Sequence, residues 1–146
     1  MPAQHPQYLE SKVLTAPPHR LHLMLIEGAI RFGRQAEGLL RQGETVAAAG
    51  PLLRVIDIVG EMLAAVRERK TDINKKLAEL YWFVFRRVSE AKLRSDAEKL
   101  AEALQLLEFE RQTWLTVCER FGTRTTATVP PLNNPAAASP GLSLEA

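Results

Sequence analysis

The sequence predicts an all-α fold: an antiparallel up-down-up-down four-helix bundle with a short N-terminal leader. Three observations carry that prediction. Apolar residues recur at helical spacing in four consecutive segments. Only a few residues with stop or cap signals separate the segments, and short connections make neighbouring helices antiparallel. No strand-like alternation of useful length and no internal repeat are present. With 146 residues, 46% of them hydrophobic and 25% charged, the chain is expected to form one domain with a real core. The predicted boundaries are a leader at 1–14, the helical domain at 15–121 and a disordered Pro/Thr/Ala-rich tail at 122–146.

In the leader, Pro2 and Pro6 disfavour helix, while Tyr8, Leu9, Val13 and Leu14 supply apolar groups expected to dock on the bundle. Helix one is predicted at 18–41. Thr15 is the expected cap, proline is tolerated in the first turn, and Gly43 follows the end as a left-handed residue. This helix is apolar on two sides. Leu21, Leu25, Gly28, Phe32 and Ala36 form the expected core stripe. Leu23, Ile26 and Ile30 fall nearly opposite. A helix at the edge of a small bundle needs one apolar stripe, so the second must be covered by a further segment of this chain or by a partner, and its residues are assigned to a partner.

Helix two is predicted at 44–69, with Gly50-Pro51 marking either a separate first turn or a bend. Leu52, Ile56, Val59, Leu63 and Val66 make its stripe. Val55, Ile58 and Met62 widen it, and Ile58 is also counted as a partner contact. Helix three follows a cap at Thr71 or Asp72 and runs to residue 93, with Ile73, Leu77, Leu80, Val84, Val88 and Ala91 as its stripe. Four aromatics crowd into 81–85 and cannot all face one core. Tyr81 and Phe83 are assigned to the core, Trp82 and Phe85 to a partner surface, where such side chains often anchor binding. Ser95 and Glu98 read as a capping box, with Asp96 favourable at the helix N-terminus. Helix four runs to residue 121 with Leu100, Leu104, Leu107 and Trp114 on one side. Arg111 interrupts that stripe, and Gly122 is the expected end of the fold.

Chemistry is sparse. The net charge is +2 and the charges of both signs are interspersed, which describes solvated helix faces rather than a nucleic-acid footprint. The single cysteine, Cys118, has no internal disulfide partner and reads as a small apolar filler. His5, His19 and His22 all precede residue 23. His19 and His22 share a helix face, but Glu27 is badly spaced as a third ligand and no Glu-x-x-His pair exists, so they read as solvent-facing and no metal is expected. Glu102, Glu108 and Glu110 read as solubility residues. There is no G-x-S-x-G, phosphate loop or C-x-x-C, so no catalytic residue and no cofactor are predicted. No export signal and no apolar run of membrane-spanning length are seen, so the expected location is the cytoplasm, without membrane insertion.

Residues 8–36 read YLESKVLTAPPHRLHLMLIEGAIRFGRQA, carrying Tyr8, Val13, Thr15, Ala16 and Pro18, then Glu27, Gly28, Ala29, Ile30 and Phe32. Leu80, Tyr81, Arg87, Ala91, Leu107 and Trp114 follow downstream. In these residues the sequence resembles the FliS family of flagellar export chaperones, over residues 8–121. It departs from that family's usual pattern at Ile26, Trp82 and Lys92, at Gly50-Pro51, and in its extended tail. The resemblance implies an antiparallel four-helix bundle that binds the disordered C-terminal segment of flagellin, prevents premature polymerisation and presents the subunit to the flagellar export gate. An unfolded client needs a long, pre-formed apolar surface. The residues expected to offer it are Tyr8, Val13, Leu23, Ile26, Ile30, Ile58, Trp82 and Phe85, with the leader covering part of it when no client is bound. The alternative is a structural or adaptor module that homodimerises through the same surplus faces.

Overall fold

The computed structural model describes residues 18–128, with side chains through residue 121; Tyr8, Val13 and the rest of the leader, and the tail from residue 129, lie outside the described residues. Four helices follow one another: α1 (Pro18–Arg41), α2 (Thr45–Arg67), α3 (Asp72–Arg94) and α4 (Ala97–Thr128). The chain groups into two compact units, Met24–Gln112 and a smaller one made of Met1–Leu23 with Thr113–Ala146.

The larger unit is the predicted antiparallel bundle. Contacts fall along one helix as they rise along its neighbour. Gly28 meets Ile58 and Arg54 lies over Phe32, joining α1 to α2. Glu27 pairs with Arg111, Arg34 with Glu108 and Arg41 with Glu98, joining α1 to α4. Tyr81 reaches Glu110, Arg87 reaches Glu102 and Glu90 reaches Lys99, joining α3 to α4. The core is built from Ile26, Ala29 and Ile30 of α1, Leu52, Val55, Val59 and Met62 of α2, Tyr81, Val84 and Val88 of α3, and Leu100, Leu104 and Leu107 of α4.

Local signals explain where the helices stop. Gly43 has φ 80°, the left-handed conformation that ends α1. Thr71 caps α3 by accepting from the Asn74 N–H at 3.1 Å. Ser95, expected to cap the last helix, instead ends α3 at φ 52°. Asp96 takes the capping role: its Oδ1 accepts from the N–H groups of Glu98 and Lys99 at 3.0 and 3.1 Å. A carboxylate is the better cap here because it also complements the positive end of the helix dipole. Gly50-Pro51 does not divide α2, which runs unbroken with Pro51 inside it. The proline falls early, and the first turns of α2 are exposed apart from Ala48 and Ala49. Helix α4 continues past Gly122 to Thr128; one helical glycine costs about 1 kcal/mol and does not by itself stop a helix.

Helix α1 is turned away from the sequence expectation, although Gly28 and Ala36 of the expected stripe are buried as assigned. Leu23, Ile26 and Ile30, assigned to a partner, are 5%, 0% and 8% exposed. Leu25 and Phe32, assigned to the core, are only half-buried. A small residue decides this. Gly33 falls on the Ile26 side and lets α4 approach closely, with Leu104 seated against it, and Ala29 is buried on the same side. Three further assignments change. Ile73 and Phe83 are exposed rather than core. Glu110 is buried, where it accepts a hydrogen bond from the fully buried Tyr81 hydroxyl at 3.1 Å. Arg111 is met by Glu27 at 3.5 Å.

In the smaller unit the described residues are 18–23 and 113–128. His22, expected in solvent, is 9% exposed and tilts against Trp114 with ring centroids 4.4 Å apart. Burial lowers its pKa to about 4. His19 stacks on Phe121 at 4.5 Å; burial, helped by the charge of Arg20, lowers its pKa too. Cys118 is buried, as expected, and its thiol donates to the His19 carbonyl at 3.6 Å.

Candidate partner-binding surface

Within the larger unit, α2 is flanked on each side by a strip of apolar surface that the bundle does not cover. Between α2 and α3 the Phe85 ring packs at Gly60, 3.6 Å from where a Cβ at that position would lie. Phe85 is thereby half-buried, and Trp82 stacks on it with centroids 5.8 Å apart and planes 12° from parallel. Trp82 itself is 44% exposed, and the Arg67 guanidinium sits 6.0 Å above its ring.

Other large apolar groups continue this flank. Leu53 precedes Gly60 by about two turns of α2, and Leu93 follows Phe85 by about two turns of α3, so the antiparallel register brings them level. Leu53 is 50% exposed, Leu93 84% and Val46, two turns before Leu53, 89%. From Val46 to Arg67 the flank runs roughly 30 Å at 1.5 Å per residue. Ala49, Gly60 and Ala64 are the small residues along it. Isolated exposed leucines are ordinary in soluble proteins, but a row of them beside a stacked Trp–Phe pair is the composition of an interaction surface.

Between α1 and α2 the strip is shallower. Ile58 packs 3.6 Å from the Gly28 position, and Leu25, Phe32 and Leu39 of α1 are half-buried. Phe32 carries two guanidiniums over its ring, Arg31 at 5.7 Å and Arg54 at 5.3 Å.

Of the residues assigned to a partner from sequence, Trp82 and Phe85 come together on the α2–α3 flank and Ile58 lies on the α1–α2 flank. Leu23, Ile26 and Ile30 are interior and offer no surface. Val46, Leu53 and Leu93 were missed. Each stands off its helix's apolar stripe, the same signal that singled out Trp82. Among the described residues no group of three or more His, Cys, Asp or Glu side chains is arranged to hold a metal ion, and no helix is long and apolar enough to cross a membrane.

Comparison with known proteins places the sequence in a family. Residues 1–120 match the family described as "Flagellar protein FliS". The flagellar secretion chaperone FliS of Salmonella typhimurium is 36% identical over 108 residues, covering 73% of this chain and 80% of that protein. The flagellar secretion chaperone FliS of Vibrio cholerae is 25% identical over 122 residues, 83% of this chain and 90% of that one. That of Bacillus subtilis is 26% identical over 107 residues, 73% and 80% of the two chains.

Proposed function

This chain belongs to the flagellar protein FliS family, and from that premise we propose how it does its work. It is a flagellar secretion chaperone, not an enzyme. Its client is flagellin, held by the disordered C-terminal region in the cytoplasm so that subunits do not polymerise before they reach the flagellar type III export apparatus. The client's apolar side chains settle along α2, with Trp82, Phe85 and Ile58 among the residues they meet. Tyr8 and Val13 of the leader belong to the same proposal as a cover for this surface when no client is bound.

The observation that carries the reading is the α2–α3 flank, where Val46, Leu53, Trp82 and Leu93 stay exposed beside a tight core. A disordered segment that folds on binding loses conformational entropy, on the order of 2–5 kcal/mol. Burying a Leu or Val side chain returns about 1.5–3 kcal/mol, so the few large groups of this flank offset that loss. Titration calorimetry with a flagellin C-terminal peptide tests the reading. The unaltered chain should bind, and Leu53→Asp with Leu93→Asp should abolish binding while the helices stay folded. A chain that ignores the peptide and sediments as a stable dimer, which the same substitutions then dissociate, would establish the homodimerising module instead.

A further inference from the structure

Two groups of guanidiniums in the bundle contrast with each other. Arg34 meets Glu37 at 2.9 Å, Arg41 meets Glu37 at 3.0 Å, Arg87 meets Glu102 at 3.4 Å and Arg111 meets Glu27 at 3.5 Å. Arg31, Arg54 and Arg67 pair with no carboxylate among the described residues and lie over the rings of the two apolar strips instead. Phe83 supplies the contrast. Arg87 covers its ring at 4.9 Å, yet that arginine is neutralised by Glu90 and Glu102, and Phe83 lies toward α4, outside both strips. Unneutralised arginines on rings therefore coincide with the surface assigned to the client.

A guanidinium over an exposed ring gains little, because water screens it. The balance changes when an apolar side chain of a partner covers the ring. The arginine is then stripped of water on one side, and an unpaired charge in that position is costly. A carboxylate on the partner offsets this loss. Its two oxygens match the planar fork of the guanidinium, so it also fixes how the partner lies.

Resting on the chaperone reading above, we propose that Arg54 and Arg67 recognise acidic residues of the client, each beside an apolar anchor that covers Phe32 or Trp82. Both arginines project from α2, about 20 Å apart along its axis, and reach toward opposite flanks of that helix. The fitting occupant is an acidic, amphipathic segment with carboxylates near two separate anchors. A purely apolar or a basic segment fits poorly.

Calorimetric titration with the flagellin C-terminal peptide at low and high salt tests this, using Arg54→Gln, Arg67→Gln and Arg67→Lys. Both arginines are exposed, so melting should stay at the parent value. Each glutamine variant should bind roughly five- to tenfold more weakly and lose part of the salt dependence. Arg67→Lys, which keeps the charge and loses the planar stack, should fall between. Replacing the peptide's acidic residues one at a time by their amides should reveal one position whose effect vanishes in Arg67→Gln and another whose effect vanishes in Arg54→Gln. Parent-like binding by both glutamine variants, or acid replacements that act independently of them, overturns the proposal and leaves the chaperone reading standing. Failure of the unaltered chain to bind the peptide removes both.

Discussion

Alanine at Gly28 and alanine at Gly33 are expected to move stability in opposite directions, although the two positions are five residues apart in one helix. Each replacement removes a helical glycine, which favours folding by about 1 kcal/mol. At Gly28 the new methyl would lie 3.6 Å from Ile58 Cδ1 and 3.7 Å from Arg31 Nη2, ordinary contact distances, so the gain is kept. At Gly33 it would fall well inside contact with Leu104 Cδ2 and 3.3 Å from both Cδ1 and Cγ. Rotating the leucine relieves the methyls but not Cγ, and Leu104 is fully buried. Overpacking of this kind costs typically 1–3 kcal/mol, so the net effect is a loss of about 1 kcal/mol. For a chain of 146 residues, 1 kcal/mol moves Tm by about 3 °C. Thermal melts followed by circular dichroism should show Gly28→Ala about 3 °C above the parent and Gly33→Ala about 3 °C below. In a Leu104→Ala background the obstruction is gone, and Gly33→Ala should become stabilising. A Gly33→Ala protein that melts with or above the parent refutes the close approach of α1 and α4 as the reason for glycine there.

Aspartate at Ile30 should unfold the bundle or cost at least 3 kcal/mol by melting, because the side chain is interior and its charge would be unpaired. Aspartate at Leu93 should leave stability within about 0.5 kcal/mol while client affinity in titration falls at least tenfold, about 1.4 kcal/mol. His22 makes the fold acid-sensitive. Its pKa is about 4 when folded and 6.5 when unfolded, so its contribution is complete above pH 6.5 and is lost as pH falls toward 4. That loss amounts to roughly 3 kcal/mol. Denaturant titrations across this range should show a shallower decline in His22→Phe than in the parent, and parallel curves would contradict the burial of a neutral imidazole.

Much of the fold was legible because helix period and stop signals are local. The bounds of α1, the cap at Thr71 and the core stripe of α2 follow from a few adjacent residues, and the structure reproduces them. The inward face of α1 was not legible in the same way. A helical wheel shows two apolar stripes, and counting large side chains selects the one with Leu21, Leu25 and Phe32. The choice rests on Gly33, whose value lies in how near another helix can come, a property of the pair rather than of either segment. Glu110 was misread for a related reason. A glutamate in a charged helix reads as solvated until its partner is known, and Tyr81 lies on a different helix. On the candidate surface, Trp82 and Phe85 stood out by size. Val46, Leu53 and Leu93 did not, because a single off-stripe aliphatic residue is common and only the α2–α3 register puts these three in a row.

A bundle held solely by aliphatic stripes tolerates sliding, since apolar contact has no preferred direction. Tyr81 and Glu110 remove that freedom between α3 and α4. Displacing α3 by one turn, about 5.4 Å, would part the hydroxyl from the carboxylate inside a desolvated interface, where separating such groups costs on the order of 1–3 kcal/mol or more. The pair therefore acts as an alignment key. Trp82 is the next residue along from Tyr81 and points outward from the same turn, so the key that locks the inside of α3 also sets where the outer tryptophan stands along the bundle. Under the proposed reading, a client laid along the α2–α3 flank would meet Trp82 at a fixed station, and its register would be chosen by the chaperone rather than by the client.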